Sequence, residues 1–299
     1  MPRISIIIPT FNRAELLPRA VESALAAGRD VEVIVVDDGS EDETPRVCAL
    51  MPDIRYLRLD QNMGVASARN AGVQQSRAEF VTALGDDDLR LPGSLDAQAR
   101  LLAASPKAAF CYGRVLVGDA RRLLPTGEVL PPRCPTGDIF WELLERNFVP
   151  DLSVVARRDR LIEVGLFNPT LSGGEDWDMW LRLAERWHAA AVEDAVALYR
   201  KADTTSGQIC SDSVGMYRQM LRVQEMALEL PRARAASRAE RRRVHRRLLN
   251  LAYEAMVHEA EQALEGGDRD AARVKFREAL RLRPLRASAD RCLLRLLAA

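Results

Sequence analysis

The sequence has 299 residues, and its 43 lysines and arginines balance its 43 aspartates and glutamates, so the formal net charge is zero. This balance excludes a chain-wide attraction to nucleic acid or to anionic membranes. No apolar run approaches the roughly 20 residues of a membrane-spanning helix, and the length allows one large α/β domain, alone or with a smaller helical part.

The first third of the chain alternates between strand-like and helix-like patterns. Short apolar runs predict strands at 4–9, 31–36 and 79–84, and a further strand is expected at 54–59. Amphipathic or alanine-rich stretches predict helices at 13–26, 64–75 and 92–104. This order predicts a mostly parallel sheet with helices on both faces. In such sheets, ligands bind beyond the carboxyl ends of the strands.

The rest of the chain is less regular up to about residue 213 and helical beyond it. Further strands are expected at 109–117, 152–156 and 189–198, and helices at 138–146 and from about 174 to 187. The proline-rich stretch 125–135 predicts a loop, and 201–213 a polar connecting segment. We therefore expect one domain over residues 1–213 and an all-helical extension over residues 214–299.

Part of the helical extension is similar to a tetratricopeptide repeat. The similarity lies in the spacing of Gly267, Asp268, Ala272, Phe276, Ala279 and Pro284. An ordinary helical hairpin explains the same pattern. Because one repeat cannot bury its apolar face alone, we expect the extension to pack on the rest of the chain, on a protein partner or on a second copy.

Three consecutive carboxylates, Asp86, Asp87 and Asp88, follow the strand predicted at 79–84. Like charges repel, and carboxylate oxygens are the ligands that Mg²⁺ and Mn²⁺ prefer, so the cluster indicates a divalent cation. A solvated turn before the next helix is the alternative. Polar clusters at 9–13 and 37–38 also follow predicted strands. This coincidence favours one binding site over three independent turns.

Five motifs in chain order resemble glycosyltransferase family 2, whose members have the GT-A fold. They are Ile6-Ile7-Ile8-Pro9-Thr10-Phe11-Asn12-Arg13, Val35-Val36-Asp37-Asp38-Gly39-Ser40, the stretch from Asn62 to Gly72, Asp86-Asp87-Asp88, and Gly174-Glu175-Asp176-Trp177. The resemblance covers roughly residues 3–200. It implies an α/β fold with a Rossmann-like, mostly parallel sheet flanked by helices.

The resemblance also implies a nucleotide-sugar site. Asp87 would be the direct ligand of Mn²⁺ or Mg²⁺, Asp86 would reach the donor ribose, and Asp38 would accept a hydrogen bond from a uracil-type base. The other implied donor-site residues are Pro9, Thr10, Asn12 and Arg69, the last for the base or the phosphates. A plain turn at Asp38 and a surface position for Arg69 are the alternatives.

The later acidic motif implies the catalytic base. By the resemblance, Asp176 takes the proton from the acceptor hydroxyl, and Glu175 and Asp178 are neighbours that could orient it. The alternative is that these acids only complement the positive end of a helix. We expect Trp180 in the core and leave open whether Trp177 is core or a sugar-stacking platform.

Two departures from the family pattern stand out. Gly85 occupies the position where the family commonly has an acid. No histidine follows Tyr199-Arg200, where many relatives carry one, and Arg200 or Lys201 would contact the diphosphate instead.

Together these features predict a metal-dependent, inverting glycosyltransferase. It would move one sugar from a nucleotide-diphospho-sugar, UDP-linked by expectation, to a hydroxyl on a glycan, lipid or protein. The alternative is a non-catalytic binding module of the same shape that acts through its helical tail. Nucleic acid is not an expected partner.

The five cysteines are scattered and odd in number, which favours a reducing compartment and argues against a zinc site. The chain starts directly with a predicted strand, so we expect no signal peptide and a cytoplasmic location. Eight arginines lie between 232 and 247. They would hold the protein at the inner face of the membrane, and a solvated helix face is the alternative.

Overall fold

The centre of the fold is a mixed sheet with helices on its faces, in a computed structural model that describes residues 3–119, 122–201 and 213–283. The strands are β1 (Ile4–Thr10), β2 (Val31–Asp37), β3 (Ile54–Arg58), β4 (Phe80–Ala83), β5 (Leu89–Arg90), β6 (Ala108–Gly118), β7 (Pro125–Leu130), β8 (Val155–Arg157) and β9 (His188–Arg200). The helices are α1 (Leu17–Ala26), α2 (Thr44–Ala49), α3 (Val65–Gln75), α4 (Ser94–Ala103), α5 (Phe140–Glu145), α6 (Arg158–Glu163), α7 (Glu175–Ala184), α8 (Ser213–Ala227), α9 (Pro231–Ala235), α10 (Arg238–Glu265) and α11 (Arg269–Leu282).

In the described residues the strand order is β3-β2-β1-β4-β8-β6-β9-β5, with β7 on β6. The first four strands are parallel, with Thr10 opposite Asp37 and Ile7 opposite Ala83. Their carboxyl ends therefore meet at one edge, which confirms the predicted fold class. The other half adds antiparallel pairs, β4 with β8, β6 with β7 and β8, and β5 with β9.

Burial on both faces explains why β1 is a central strand. Ile4, Ile6, Ile7 and Ile8 are all almost fully buried, as expected for a strand with helices on both sides. Helix α1 buries Leu17, Ala20, Val21 and Ala24, which recur at helical spacing along one side.

The chain divides into two compact units, which we describe separately. The first comprises residues 1–143 and 147–206 and contains the sheet. The second comprises 144–146 and 207–299 and contains α8 to α11. The helical extension is thus confirmed. Its boundary at residue 213 stays a prediction, next to residues 202–212, which lie outside the described residues together with most of the segment predicted at 201–213.

Within the second unit, α10 and α11 form the pair predicted from the repeat-like spacing. Tyr253, Met256 and Ala260 of α10 pack against Phe276 and Ala279 of α11. Asp268 begins α11, and its side chain accepts a hydrogen bond from the backbone N–H of Ala271 at 2.9 Å. Pro284 lies outside the described residues.

Several predicted boundaries need correction. Residues 125–130 were expected in a loop, but they form β7, whose residues are all exposed and therefore carry no apolar signal. The strand predicted at 152–156 is a 3₁₀ turn, Asp151–Ser153, followed by β8. Helices α1, α4 and α5 begin two to four residues later than predicted, and turns precede α1 and α4.

Candidate active site

The acidic motif lies at the carboxyl edge of the parallel strands. Thr10, the last residue of β1, donates its hydroxyl to Asp86 Oδ2 at 2.8 Å. Arg13, in the loop after β1, places Nη1 2.9 Å from Asp87 Oδ2. Since β1 and β4 are neighbours, their two following loops meet and hold the aspartates together.

Arginines supply counter-charge to this cluster. Arg200, at the end of β9, places Nη1 3.5 Å from Asp87 Oδ2, and its backbone N–H donates to Asp88 Oδ1 at 2.8 Å. Burial raises the pKa of Asp86 to about 6, with a contribution from the charge of Asp87 and against the hydrogen bond from Thr10. Burial and the charge of Asp87 also raise the pKa of Asp88 well above its ordinary value.

The geometry of Gly85 explains the missing acid at this position. A Cβ at residue 85 would lie 2.8 Å from Asp88 Oδ2 and 3.2 Å from Asp87 Oδ1. A side chain there would push the Asp88 carboxylate aside. The carboxylate of Asp88 therefore occupies space that a side chain at residue 85 would need.

The donor atoms of this cluster fit a hard divalent cation. Asp86, Asp87 and Asp88 offer carboxylate oxygens, and their mutual repulsion would be relieved by a positive ion. Within the described ranges, no group of three or more His, Cys, Asp or Glu side chains is placed so that it could hold a metal ion by itself. A cation held by Asp87 would therefore take further ligands from water or from substrate phosphates, as Mg²⁺ commonly does.

The carboxylates of Asp37 and Asp38, at the end of β2, accept hydrogen bonds from residues later in the chain. Asp38 Oδ1 accepts a hydrogen bond from the N–H of Met63, and Oδ2 from that of Gly64, both at 2.8 Å. Asp37 Oδ2 accepts from Tyr56 at 2.6 Å and from Arg58 at 2.9 Å. A carboxylate oxygen can accept a second hydrogen bond, so the predicted base contact of Asp38 stays a prediction.

Asn12 connects the loops after β1 and β2. Its backbone has φ of +54°, in the left-handed region that Asn tolerates better than most residues. Its side-chain oxygen accepts from the N–H of Glu41 at 2.8 Å, and its own N–H donates to Ser40 Oγ at 2.9 Å. The expected donor contacts of Asn12 and of Pro9, in β1, stay predictions.

The second acidic motif begins α7 and lies in a buried ionic network. Glu175 Oε1 is 2.7 Å from Arg69 Nη1, and Asp151 Oδ2 is 2.5 Å from Arg69 Nη2. Asn147 Nδ2 lies 3.5 Å from Asp176 Oδ2. Arg69 is thus not at the surface, and both terminal nitrogens contact carboxylates of the protein. Its predicted donor role stays a prediction.

The environment of Asp176 suits a proton acceptor. Burial, together with the charges of Glu175 and Asp151, raises its pKa to about 7 against the opposing effect of Arg69. Burial likewise raises the pKa of Asp151, against the effect of Arg69. A base whose pKa lies near neutral pH is well matched to removing a proton from a hydroxyl.

Both tryptophans of this helix belong to the core. Trp177 is fully buried and donates Nε1–H to the carbonyl of Leu143 at 2.9 Å. Trp180 packs against Phe110 and Phe167, with ring centroids 5.7 and 6.1 Å apart. This confirms the expectation for Trp180 and makes Trp177 a core residue. Asp178 is paired with Arg182 at 2.7 Å.

Sequence reasoning missed Asp151, Asn147 and Arg90. Asp151 lies 82 residues from its partner Arg69, in an irregular segment with no motif. A single sequence carries no signal of such a long-range pair.

Comparisons with known proteins identify the family of this chain. A family model described as "Glycosyl transferase family 2" matches residues 5–160. An uncharacterized glycosyltransferase of Rickettsia conorii is 33% identical over 189 residues, covering 60% of this chain and 31% of that protein. The succinoglycan biosynthesis protein ExoO of Rhizobium meliloti is 42% identical over 139 residues, covering 45% of this chain and 40% of that protein. The match thus spans less than half the length of these relatives.

Solved structures share the fold. A crystal structure of Staphylococcus aureus TarS, residues 1–349, in complex with UDP-GlcNAc has a TM-score of 0.65 at 18% identity, covering 94% of this chain and 83% of that one. The mannosyltransferase PcManGT of Pyrobaculum calidifontis, in complex with GDP-Man and Mn²⁺, has a TM-score of 0.57 at 17% identity, covering 97% and 76%. At these identities the likeness concerns the fold alone.

Proposed function

The chain belongs to glycosyl transferase family 2, and on that premise we propose that it transfers a sugar from a nucleotide-diphospho-sugar to an acceptor hydroxyl, with inversion at the anomeric carbon. The observation that carries this proposal is the joining of Asp86 and Asp87 to the end of β1 through Thr10 and Arg13. That edge of a parallel sheet is where such folds bind nucleotides.

On the donor side, Asp87 would hold Mn²⁺ or Mg²⁺ and Asp86 would contact the ribose. The cation, when bound, offsets charge on the two phosphates and on the leaving nucleoside diphosphate. Arg13 and Arg200, already beside Asp87, add positive charge where the diphosphate would lie. Pro9, Thr10, Asn12 and Asp38 line the nucleoside end of the site.

On the acceptor side, Asp176 accepts the proton of the attacking hydroxyl. The acceptor oxygen forms its bond to the anomeric carbon while the bond to the diphosphate breaks. One displacement from the opposite face inverts the configuration and needs only this one carboxylate as base. The pKa of about 7 leaves Asp176 ionised often enough at neutral pH to act, and basic enough to take the proton.

For the donor we propose a UDP-sugar. TarS is described in complex with UDP-GlcNAc and PcManGT with GDP-Man, so the shared fold accommodates different bases. Thermal-shift measurements with UDP-, GDP- and dTDP-sugars, each with Mn²⁺, compare the three directly. We expect the largest stabilisation from a UDP-sugar.

The activity test is hydrolysis and transfer of the donor with Mn²⁺, in wild type and in Asp87→Ala. We expect the variant to lose about 100-fold or more, because the ligand of the cation is gone. Asp53→Ala, at an exposed carboxylate, is the matched control and should retain wild-type rates. Equal, measurable rates in wild type and Asp87→Ala would contradict the proposed role of Asp87, and no hydrolysis or transfer by wild type would support the non-catalytic binding module.

We also propose a cytoplasmic location and a peripheral contact with anionic lipid, where lipid-linked glycan acceptors would be met. Cys48, Cys111 and Cys134 are free and buried, as is common in a reducing compartment. None of the described helices combines the length and apolar character needed to cross a bilayer. Exposed arginines on α10 supply the charge for a surface contact.

A further inference from the structure

Two buried arginines act on Asp151, Arg69 through an ion pair and Arg90 through its charge. Arg69 comes from α3, Asp151 from the 3₁₀ turn, and Glu175 from the first turn of α7. The three are joined by ion pairs of 2.5 and 2.7 Å, and the side chains of Arg69, Asp151 and Glu175 are 10, 19 and 9% exposed. Three distant segments of the chain are thus held at one point.

The second arginine, Arg90 of β5, is only 2% exposed. Its Nη2 donates to Thr82 Oγ1 at 3.0 Å, while no hydrogen-bond partner for its Nε or Nη1 is found among the described residues. The same holds for Asp151 Oδ1. The charges of Arg90 and Asp151 nevertheless act on each other. Asp151 therefore has one arginine hydrogen-bonded to it and a second one close enough to stabilise its charge.

Such a network is a costly way to stabilise a fold. Buried ions lose their hydration, and well-packed apolar side chains in the same space are often as stabilising or more so. What an ionic network supplies is a fixed geometry and a fixed local charge. The position that this one fixes is the start of α7, where Asp176 follows directly after Glu175.

We propose that Arg69 and Asp151 are positioning residues for Asp176, and that Arg69 serves the acceptor side of the site rather than the donor. The guanidinium of Arg69 holds Glu175 with one nitrogen and Asp151 with the other, which fixes the first turn of α7. The Asp176 carboxylate is thereby aimed at the acceptor hydroxyl. This inference rests on the proposed transferase function.

The network also sets the charge around Asp176. The groups that act on it are Glu175 from its own helix, Asp151 from the 3₁₀ turn and Arg69 from α3, with the neutral amide of Asn147 beside it. Removing a negative neighbour lowers the pKa of an acid, and removing a positive neighbour raises it. A base works only when deprotonated, so the acidic limb of the rate profile follows the pKa of Asp176.

Three variants separate the roles. Asp151→Asn should move the acidic limb of kcat to lower pH by about one unit, and Arg69→Met should move it to higher pH by a similar amount. Arg69→Lys keeps the charge, but a single ammonium group cannot hold the carboxylates of Glu175 and Asp151 as the two guanidinium nitrogens do. It should lower kcat about tenfold, with the acidic limb of the pH profile at its wild-type position. In all three, the Kd for the donor, measured calorimetrically with Mn²⁺, should change less than about threefold.

Arg157→Lys is the matched control. Arg157 is another largely buried arginine of the first unit, 18% exposed, and it is held by the carbonyls of Ala108 and Leu102. The Arg157→Lys substitution should leave kcat, the acidic limb of its pH profile and the donor Kd at wild-type values. Thermal melting identifies any variant that does not fold, and Asp151→Asn, which changes one atom, keeps the test available if Arg69→Met does not.

The outcomes distinguish this inference from the function it rests on. A wild-type protein that transfers no sugar from any of the three donor classes would overturn the proposed function, and the inference with it. A wild type that transfers sugar, with the limb unmoved in Asp151→Asn and Arg69→Met, would overturn the inference alone. So would a donor Kd weakened tenfold or more in Arg69→Lys, because Arg69 would then be a donor ligand.

Discussion

At the scale of single residues, the two acidic motifs use carboxylates in opposite ways. Asp87 is surrounded by positive charge from Arg13 and Arg200, whereas Asp176 has two acids and one arginine near it. A buried acid among other acids holds its proton longer. The contrast matches a proton acceptor at the later motif, whereas the two arginines at the first motif supply positive charge for a diphosphate.

Asp176 should make stability depend on pH. Its pKa is raised to about 7 in the folded protein, above the unfolded value near 3.9, so the folded state binds its proton more tightly. Its contribution is therefore fully present below about pH 4 and is lost as pH rises toward 7. Asp176→Asn should be more stable than wild type by about 1–2 kcal/mol at pH 8 and equal to it at pH 4, in urea titrations.

The same variant should be nearly inactive, because Asn accepts no proton at neutral pH. We expect kcat to fall by about 10² to 10⁴ with the donor Kd preserved. Glu163→Gln, at an exposed acid of α6, is the control for both measurements. If the stability difference between the variant and wild type is the same at pH 4 and pH 8, the pKa of Asp176 is not raised in the folded protein.

Thr10 links β1 to the acidic motif through one buried hydrogen bond. Thr10→Val keeps the shape and removes the donor, which leaves a buried carboxylate oxygen of Asp86 with less hydrogen bonding. The free energy of unfolding should fall by about 1–3 kcal/mol in urea titration. Ser94→Ala removes a buried hydroxyl that has no partner among the described residues, and it should cost less than about 0.5 kcal/mol. Equal losses would mean that the Thr10 bond contributes nothing specific.

At the scale of elements, α3 lies so close to β1 that only glycine fits at residue 72. A Cβ there would be 2.5 Å from Ile7 Cγ2. Alanine would gain about 1 kcal/mol in helix propensity but would force β1 and α3 apart. We expect Gly72→Ala to lose about 1–3 kcal/mol net, measured by tryptophan fluorescence, since all four tryptophans lie in the first unit.

Gln74→Ala places alanine on the exposed side of the same helix and should change stability by less than about 0.5 kcal/mol. An unchanged or raised stability in Gly72→Ala would mean that β1 and α3 can separate at little cost. The packing of α3 on β1 would then contribute little to the stability of the sheet edge that is proposed to bind the nucleotide.

The same elements show which strands and helices could be predicted from the sequence alone. Strands β1, β2 and β4 were predictable because they are short, mostly apolar runs with mostly buried residues, and α1 because its apolar residues recur at helical spacing. Strand β7 was not, because all its residues are exposed. Strand β5 has two residues and is positioned by its partner β9. The short helices α2 and α6 carry too few turns for a clear period.

Some residues of the site were likewise predictable and others were not. The aspartates were found because residues that follow parallel strands in the sequence lie at the same edge of the sheet. The Arg69 network was not, because its members come from three separate segments and pair only after folding. The exposure of an arginine in an alanine-rich helix cannot be deduced when its partner is unknown.

At the scale of the whole molecule, the arginines of α10 are a candidate surface for anionic lipid. Arg238, Arg242 and Arg246 are exposed and lie four residues apart, on one side of the helix. Each is worth about 1 kcal/mol at an anionic surface, so changing all three to Glu should weaken binding to phosphatidylglycerol vesicles by on the order of 100-fold. Flotation with neutral vesicles should show no binding of either protein.

The control changes Arg29, Arg46 and Arg77 to Glu, which alters the net charge equally at exposed positions outside α10. It should retain most vesicle binding, and added salt should weaken binding of both proteins. If wild type binds neutral and anionic vesicles equally weakly, α10 has only a solvated face.

The central claim is that Asp87 holds a divalent cation against the diphosphate of a nucleotide sugar. A crystal of the wild-type protein soaked in manganese and UDP tests it most directly, with anomalous scattering to place the metal. We predict a manganese ion bound to an Asp87 oxygen beside the diphosphate of UDP, with the uracil near Asp38. A soaked crystal in which neither the metal nor UDP lies beside Asp87 would contradict it.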